Sequence, residues 1–79
     1  MTTIESKKRD RRWINSIESV FRVNELLAPY TAALQITIEN GTIVLCGELP
    51  ALAHKNQLIP AIRQAGVLSR VSDRVRVAS

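Results

Sequence analysis

The segment 34–48, LQITIENGTIVLCGE, constrains the fold of this chain more than any other. Apolar and polar residues alternate in its first half, which is the period of a half-buried strand. Asn40 and Gly41 follow, and both tolerate the positive φ that a two-residue type I′ turn requires. A second run rich in β-forming residues, 42–47, then returns. The sequence therefore predicts a β-hairpin, and the short turn fixes its register.

The predicted register divides the hairpin side chains between two faces. It pairs Glu39 with Thr42, Ile38 with Ile43, Ile36 with Leu45 and Leu34 with Gly47. One face then carries four branched apolar side chains that need other elements to pack on, Ile36, Ile38, Ile43 and Leu45. The opposite face carries Gln35, Thr37, Val44 and Cys46. An ordinary mixed surface is the simplest interpretation of this second face. The alternative is that Val44 and Cys46 are covered by a partner or by a second copy.

Helical periodicity flanks the hairpin on both sides. Apolar residues recur every three or four positions over 13–27, which predicts a first helix that ends before Pro29. A second helix is predicted over 51–65, with Gly66 as the residue that ends it. Pro60 conflicts with this second helix, because an interior proline costs about 3 kcal/mol. We favour a kink at Pro60. The alternative is a break into two short helices, with Pro60 in the first turn of the second.

A third strand is predicted after the second helix. Valines and arginines alternate there: Val71, Val75 and Val77 with Arg74 and Arg76. The strand is best defined over 74–78. The element order is then αββαβ, and we expect an α+β fold, a two-layer sandwich in which two helices pack on one face of a three-stranded sheet. If the second and third strands lie parallel, the crossover between them should be right-handed. Whether the third strand lies beside the second or beside the first stays open.

Composition limits the functions open to the chain. Its 79 residues fit one domain. Cys46 is the only cysteine, which excludes an intramolecular disulfide and a cysteine zinc site and suits a reducing compartment. His54 is the only histidine, and no third group is identifiable that would orient a Cys–His pair. No residue spacing indicates a metal or a phosphate-binding loop. We therefore expect no enzyme activity, no catalytic residues, no metal and no cofactor.

The sequence also predicts where in the cell the protein is located. It contains no run of about 18 apolar residues, so no transmembrane segment is predicted. The first basic residues are not followed by an apolar segment, so no signal peptide is predicted either. We expect a cytoplasmic protein, for which peripheral attachment at the inner membrane is an option.

Positive charge is concentrated at the N-terminal end. The net charge is +4, and residues 1–12 hold five basic and two acidic residues, which is +3. We expect residues 1–11 to form a flexible basic arm and residues 12–79 a single domain. A solvated tail is the simplest interpretation of the arm. However, cations at a helix N-terminus oppose the helix dipole, which favours an external anionic partner. The expected binding residues are Lys7, Lys8, Arg9 and Arg11 of the arm with Arg12 next to it, and Arg70 just before the third strand with Arg74 and Arg76 within it.

The chain resembles the BON domain family over about residues 14–78. The features that carry the resemblance are an alternating strand, an Asn-Gly turn, an apolar strand ending in Gly-Glu, a helix, and a Gly-Val segment followed by spaced valines and an aspartate. In this chain they are Ile36, Ile38, Asn40, Gly41, Val44, Leu45, Gly47, Glu48, Gly66, Val67, Val71 and Asp73. The resemblance implies an αββαβ fold and a non-enzymatic binding role. BON domains are generally associated with the bacterial envelope and with phospholipid or polysaccharide binding.

The charge distribution and the resemblance are compatible with three kinds of partner. The first is an anionic membrane surface or a protein, contacted through the arm and through Arg70, Arg74 and Arg76. The second is a nucleic acid, contacted through the basic arm. The predicted strands lack the stacking aromatic residues that single-strand binders place there, which counts against it. The third is a second copy of the chain, bound through the exposed sheet face or an edge strand.

Overall fold

The structure is a computed structural model that describes the backbone of residues 3–78 and the side chains of residues 8–78. It contains α1 (Thr3–Val23), a 3-10 helix (Ala28–Ala33), β1 (Leu34–Glu39), β2 (Thr42–Leu49), α2 (Leu52–Lys55), α3 (Leu58–Gln64), β3 (Val71–Asp73) and β4 (Arg76–Val77). The predicted α+β fold, with helices and a sheet, is confirmed.

The hairpin has the predicted turn and register. Asn40 and Gly41 adopt φ values of 53° and 79°, so both central turn residues lie in the positive region that a type I′ turn requires. Six antiparallel pairs link β1 to β2, from Leu34 with Gly47 to Glu39 with Thr42. The hairpin therefore follows from local sequence alone.

The core lies between the helices and one face of the sheet. From β2 it takes Ile43 and Leu45, which are 0% and 1% exposed. From the helices it takes Ile17, Phe21, Leu58 and Ile62, all fully buried. Ile36 and Ile38 of β1 pack against this cluster but stay half-buried, because β1 is an edge strand with a neighbour on one side only.

The first helix begins earlier than predicted. Residues 3–11, expected to form a flexible arm, lie in α1, and only Met1 and Thr2 of that segment fall outside the described residues. Most of these residues are good helix formers, so the helix continues beyond the point where its apolar period stops. Its 21 residues span about 32 Å. The longest dimension of the molecule is 45 Å, against 21 and 19 Å for the other two.

The second predicted helix is broken, so the favoured kink at Pro60 is wrong and the alternative holds. Asn56 and Gln57 separate α2 from α3, and Pro60 is the third residue of α3. Amide groups in the first turn of a helix have no partner within the helix, so the missing N–H of proline costs little there. Gly66 ends α3 as predicted, with φ 84°.

The third strand lies beside the second, which the sequence left open. It is divided into β3 and β4, rather than running over 74–78, and both segments pair with β2 in parallel. The register stays constant across the break, since Asp73 faces Leu45 and Arg76 faces Glu48, an offset of 28 residues in each pair. The two segments therefore act as one strand with a local interruption.

At that interruption, two side chains form hydrogen bonds with the backbone N–H and C=O groups of Val75. The amide of Val75 donates a hydrogen bond to Asp73 Oδ1 at 3.0 Å. The carbonyl of Val75 accepts one from Lys55 Nζ at 2.8 Å. Lys55 Nζ also lies 4.0 Å from Asp73 Oδ1. Val75 is only 2% exposed, so water is not available to its backbone groups. Asp73 and Lys55 therefore provide the hydrogen-bond partners that a neighbouring strand or solvent provides elsewhere.

Candidate anion-binding surfaces

A continuous polar stripe runs along the outward side of α1. With 3.6 residues per turn, six exposed residues share the side opposite the buried Ile17 and Phe21. We call them the α1 stripe: Lys8, Arg11, Arg12, Asn15, Ser19 and Arg22. From Lys8 to Arg22 the stripe is about 21 Å long.

The charge of the α1 stripe is unopposed within the stripe itself. Four of its six residues are cations and none is acidic. Asp10 lies toward the core side and binds Arg9 at 3.2 Å. Glu18 is half-buried at the border of the stripe, one helical turn before Arg22. An anionic surface that lies along α1 between Lys8 and Arg22 therefore meets four cations before it meets a carboxylate.

Arg9 does not belong to this stripe. Its guanidinium binds the Asp10 carboxylate and lies 4.8 Å from the centre of the Trp13 ring. Both contacts satisfy its charge within the protein. Arg9 was predicted as a binding residue, and the structure shows it with two partners inside α1. The side chain of Lys7, also predicted, lies outside the described residues.

The other three predicted arginines lie along or just before the third strand, away from α1. Arg70, Arg74 and Arg76 are exposed. Successive side chains of a strand point to opposite faces, and Val75 points into the core. Arg74 and Arg76 therefore lie on the sheet face away from the helices, and Arg70 directly precedes β3. The predicted basic residues thus fall into two groups, one on α1 and one along the third strand. Glu48 stands opposite Arg76 in the register, which lowers the charge of the second group.

The open sheet face is less apolar than the alternative interpretation required. Val44 is 4% exposed within a single chain, and Cys46 is half-buried. Gln35 and Thr37 of the neighbouring strand are exposed. This face is thus a mixed polar surface in which Val44 needs no partner to be covered.

Sequence reasoning missed two kinds of residue at these surfaces. Arg22, Asn15 and Ser19 complete the α1 stripe, and a helical period extended back from Ile17 to Lys8 would have found them. It also missed exposed apolar residues at the end of the stripe. Val23 is 80% exposed on the same side of α1, and Leu26 in the following turn is 38% exposed.

The described residues do not form a cluster of metal-binding side chains. Among the side chains of residues 8–78, no three of the types His, Cys, Asp and Glu lie close enough to hold a metal ion. His54, expected at the surface, is half-buried and meets the Tyr30 ring edge-on at 5.4 Å between ring centres. Its Nδ1 is buried without a hydrogen-bond partner among the described residues. The imidazole therefore serves as packing for the 3-10 helix.

Comparison with known proteins finds no family model that matches the chain and no curated protein that matches it. The resemblance to BON domains therefore stays a prediction from the sequence motifs. No helix in the described part of the chain is both long enough and apolar enough to cross a bilayer.

Proposed function

We propose that this protein is a small non-enzymatic binding module of BON type that contacts an anionic phospholipid surface through the α1 stripe. The observation that carries the proposal is the row of four exposed cations on one side of α1, with no carboxylate among them. We place the contact at the cytoplasmic face of a bacterial inner membrane, since a lone cysteine suits a reducing compartment. Peripheral binding requires no spanning segment.

The expected electrostatic contribution is moderate. Each cation near an anionic leaflet contributes about 1 kcal/mol, so four contribute about 4 kcal/mol, or nearly a thousandfold in affinity. Because the side chains are exposed, salt weakens the attraction, and its range at physiological ionic strength is about 8 Å. A straight helix brings all four cations within that distance of a flat surface.

Apolar residues beside the stripe favour a membrane over a nucleic acid. Val23 and Leu26 are exposed where the stripe ends, next to Arg22. At a bilayer surface such side chains enter the boundary between headgroups and acyl chains, whereas a sugar-phosphate backbone offers them no apolar contact. Asn15 and Ser19 are neutral donors that also suit nucleic-acid phosphates, so a nucleic acid is the alternative ligand to be tested.

The test compares two doubly substituted proteins of equal charge. Arg11→Gln with Arg12→Gln removes two cations from the α1 stripe. Arg74→Gln with Arg76→Gln removes two cations from the open sheet face. In vesicle flotation with acidic phospholipid, the stripe variant should bind roughly 30-fold more weakly than the unmodified protein. The sheet-face variant should bind as the unmodified protein does.

Three results would contradict the proposal. Equal recovery on neutral and acidic vesicles would remove electrostatic attraction as the cause. An equal loss for both variants would mean that net charge, rather than the stripe, controls binding. Tighter binding to oligonucleotides at the same salt, lost in the stripe variant, would replace the membrane with a nucleic acid. Salt titration distinguishes binding through cations from purely apolar binding.

A further inference from the structure

The two edges of the sheet are protected unequally. The third strand is short, is interrupted at Arg74 and Val75 and has charged arginines at positions 74 and 76, which are features that discourage pairing with another chain. β1 has six residues and contains no proline, no lysine and no interruption. Among residues 3–78, only one side of β1 is paired, since the strand order is β1-β2-β3. β1 is thus a regular free edge in a protein that blocks its other edge.

The turn shows which backbone groups of β1 are free. In a two-residue hairpin the residues that flank the turn, here Glu39 and Thr42, form a hydrogen-bonded pair, and bonded pairs then alternate along the ladder. Thr37 therefore bonds inward to Val44. The N–H and C=O groups of Ile36 and Ile38 point outward. The N–H of Leu34 is already bonded to the carbonyl of Thr31.

We propose that β1 pairs with β1 of a second copy, antiparallel and centred on Thr37, so that the protein forms a two-fold symmetric dimer with one continuous sheet. In this register Ile36 faces Ile38 of the second copy, and the reverse pair is equivalent. The two pairs form four N–H···O=C bonds. A register centred on Ile36 would require the N–H of Leu34, which is occupied. A register centred on Ile38 would bring Ile36 against the turn.

Side-chain chemistry is self-complementary in the same register. Glu39, the only charged residue of β1, faces Gln35 of the second copy, so a carboxylate meets an amide and not another carboxylate. Ile36 and Ile38 remain half-buried in the single chain. Pairing places each beside an isoleucine of the other copy and joins the two cores. Because the two-fold axis is perpendicular to the sheet, both helical layers lie on the same side.

Crosslinking tests the register directly. Thr37 would face its own copy as a non-bonded pair with a Cα separation of about 4.5 Å, which suits a disulfide. In a Cys46→Ser background, Thr37→Cys should give a covalent dimer on mild oxidation. Gln35→Cys, two residues away on the same exposed face, should stay monomeric because it faces Glu39. Failure of Thr37→Cys to crosslink, or equal crosslinking of both variants, would overturn the proposal.

Charge substitutions test the same pairing in solution. The unmodified protein should show a concentration-dependent mass in sedimentation that rises above the 8.8 kDa of one chain. Thr37→Lys sets two ammonium groups opposite each other and should weaken association by about fivefold. Gln35→Lys adds the same charge opposite Glu39 and should preserve or strengthen it. A mass of one chain at every concentration, or equal effects of the two lysines, would refute the inference.

Discussion

The cluster that closes the interruption of the third strand gives the sharpest stability prediction. Asp73 Oδ1 accepts the Val75 amide at 3.0 Å and lies 4.0 Å from the Lys55 ammonium. Asp73→Ala removes this acceptor while the amide stays in a residue that is 2% exposed. Asp73→Asn is the matched control, because it removes the charge and keeps an oxygen in place to accept the hydrogen bond.

The expected loss follows from these contacts. A buried amide left without an acceptor costs about 1–3 kcal/mol. The ion pair adds little, since both side chains are partly exposed and such pairs contribute about 0–1 kcal/mol. We therefore expect Asp73→Ala to lower the free energy of unfolding by about 2 kcal/mol. Asp73→Asn should cost less than about 1 kcal/mol, the ion-pair contribution alone.

Urea denaturation measures this difference. For a small domain with a denaturant slope of about 1.3 kcal/mol/M, the loss for Asp73→Ala is a midpoint shift of roughly 1.5 M. Hydrogen exchange should show that the Val75 amide loses its protection in Asp73→Ala and keeps it in Asp73→Asn. Equal midpoints for the two variants would mean that charge matters and the hydrogen bond does not. That result would refute the assignment of Asp73 as the acceptor.

Two further substitutions test the backbone. Pro60→Ala should lower the free energy of unfolding by about 0.5 kcal/mol, because a first-turn proline stiffens the unfolded chain without losing a helix bond. If thermal or urea unfolding showed the free energy of unfolding rising by about 3 kcal/mol, Pro60 would lie inside a continuous helix. Gly47→Ala should cost about 3 kcal/mol or more, because φ is 136° and a Cβ would collide with the carbonyl oxygen of Ala33. Gly41→Ala is its control, since a Cβ there meets no atom within 4 Å. A thermal unfolding midpoint that falls equally in both glycine variants would show that the collision contributes nothing.

The hairpin was predictable because its determinants are local. Alternation sets the two faces, and Asn40-Gly41 sets the register, so nothing outside 34–49 is needed. The interruption of the third strand was not predictable, because it depends on Lys55, which lies 20 residues away in sequence. The start of α1 was missed for another reason. Its apolar period marks only the part of the helix that packs on the core, whereas the backbone is helical from Thr3 onward.

The candidate site was predictable in residue type but not in arrangement. Sequence reasoning named the cations because charge can be counted. Their separation into two surfaces required the strand alternation that sends Val75 inward and Arg74 outward. The contacts of Arg9 with Asp10 and Trp13, and the place of Arg22 in the α1 stripe, depend on the positions that the helix gives these side chains.

Parallel pairing of the third strand with β2 also has a kinetic consequence. The hairpin closes a loop of two residues, whereas β3 must return across an offset of 28 residues, through two short helices, before it gains its first hydrogen bond. The entropy lost in closing that longer loop comes before any compensating contact. Until β3 docks, the backbone N–H and C=O groups along one side of β2 have no strand to pair with. A lengthened turn after Gly66 slows this step and should therefore increase aggregation during refolding, even where the free energy of unfolding changes little.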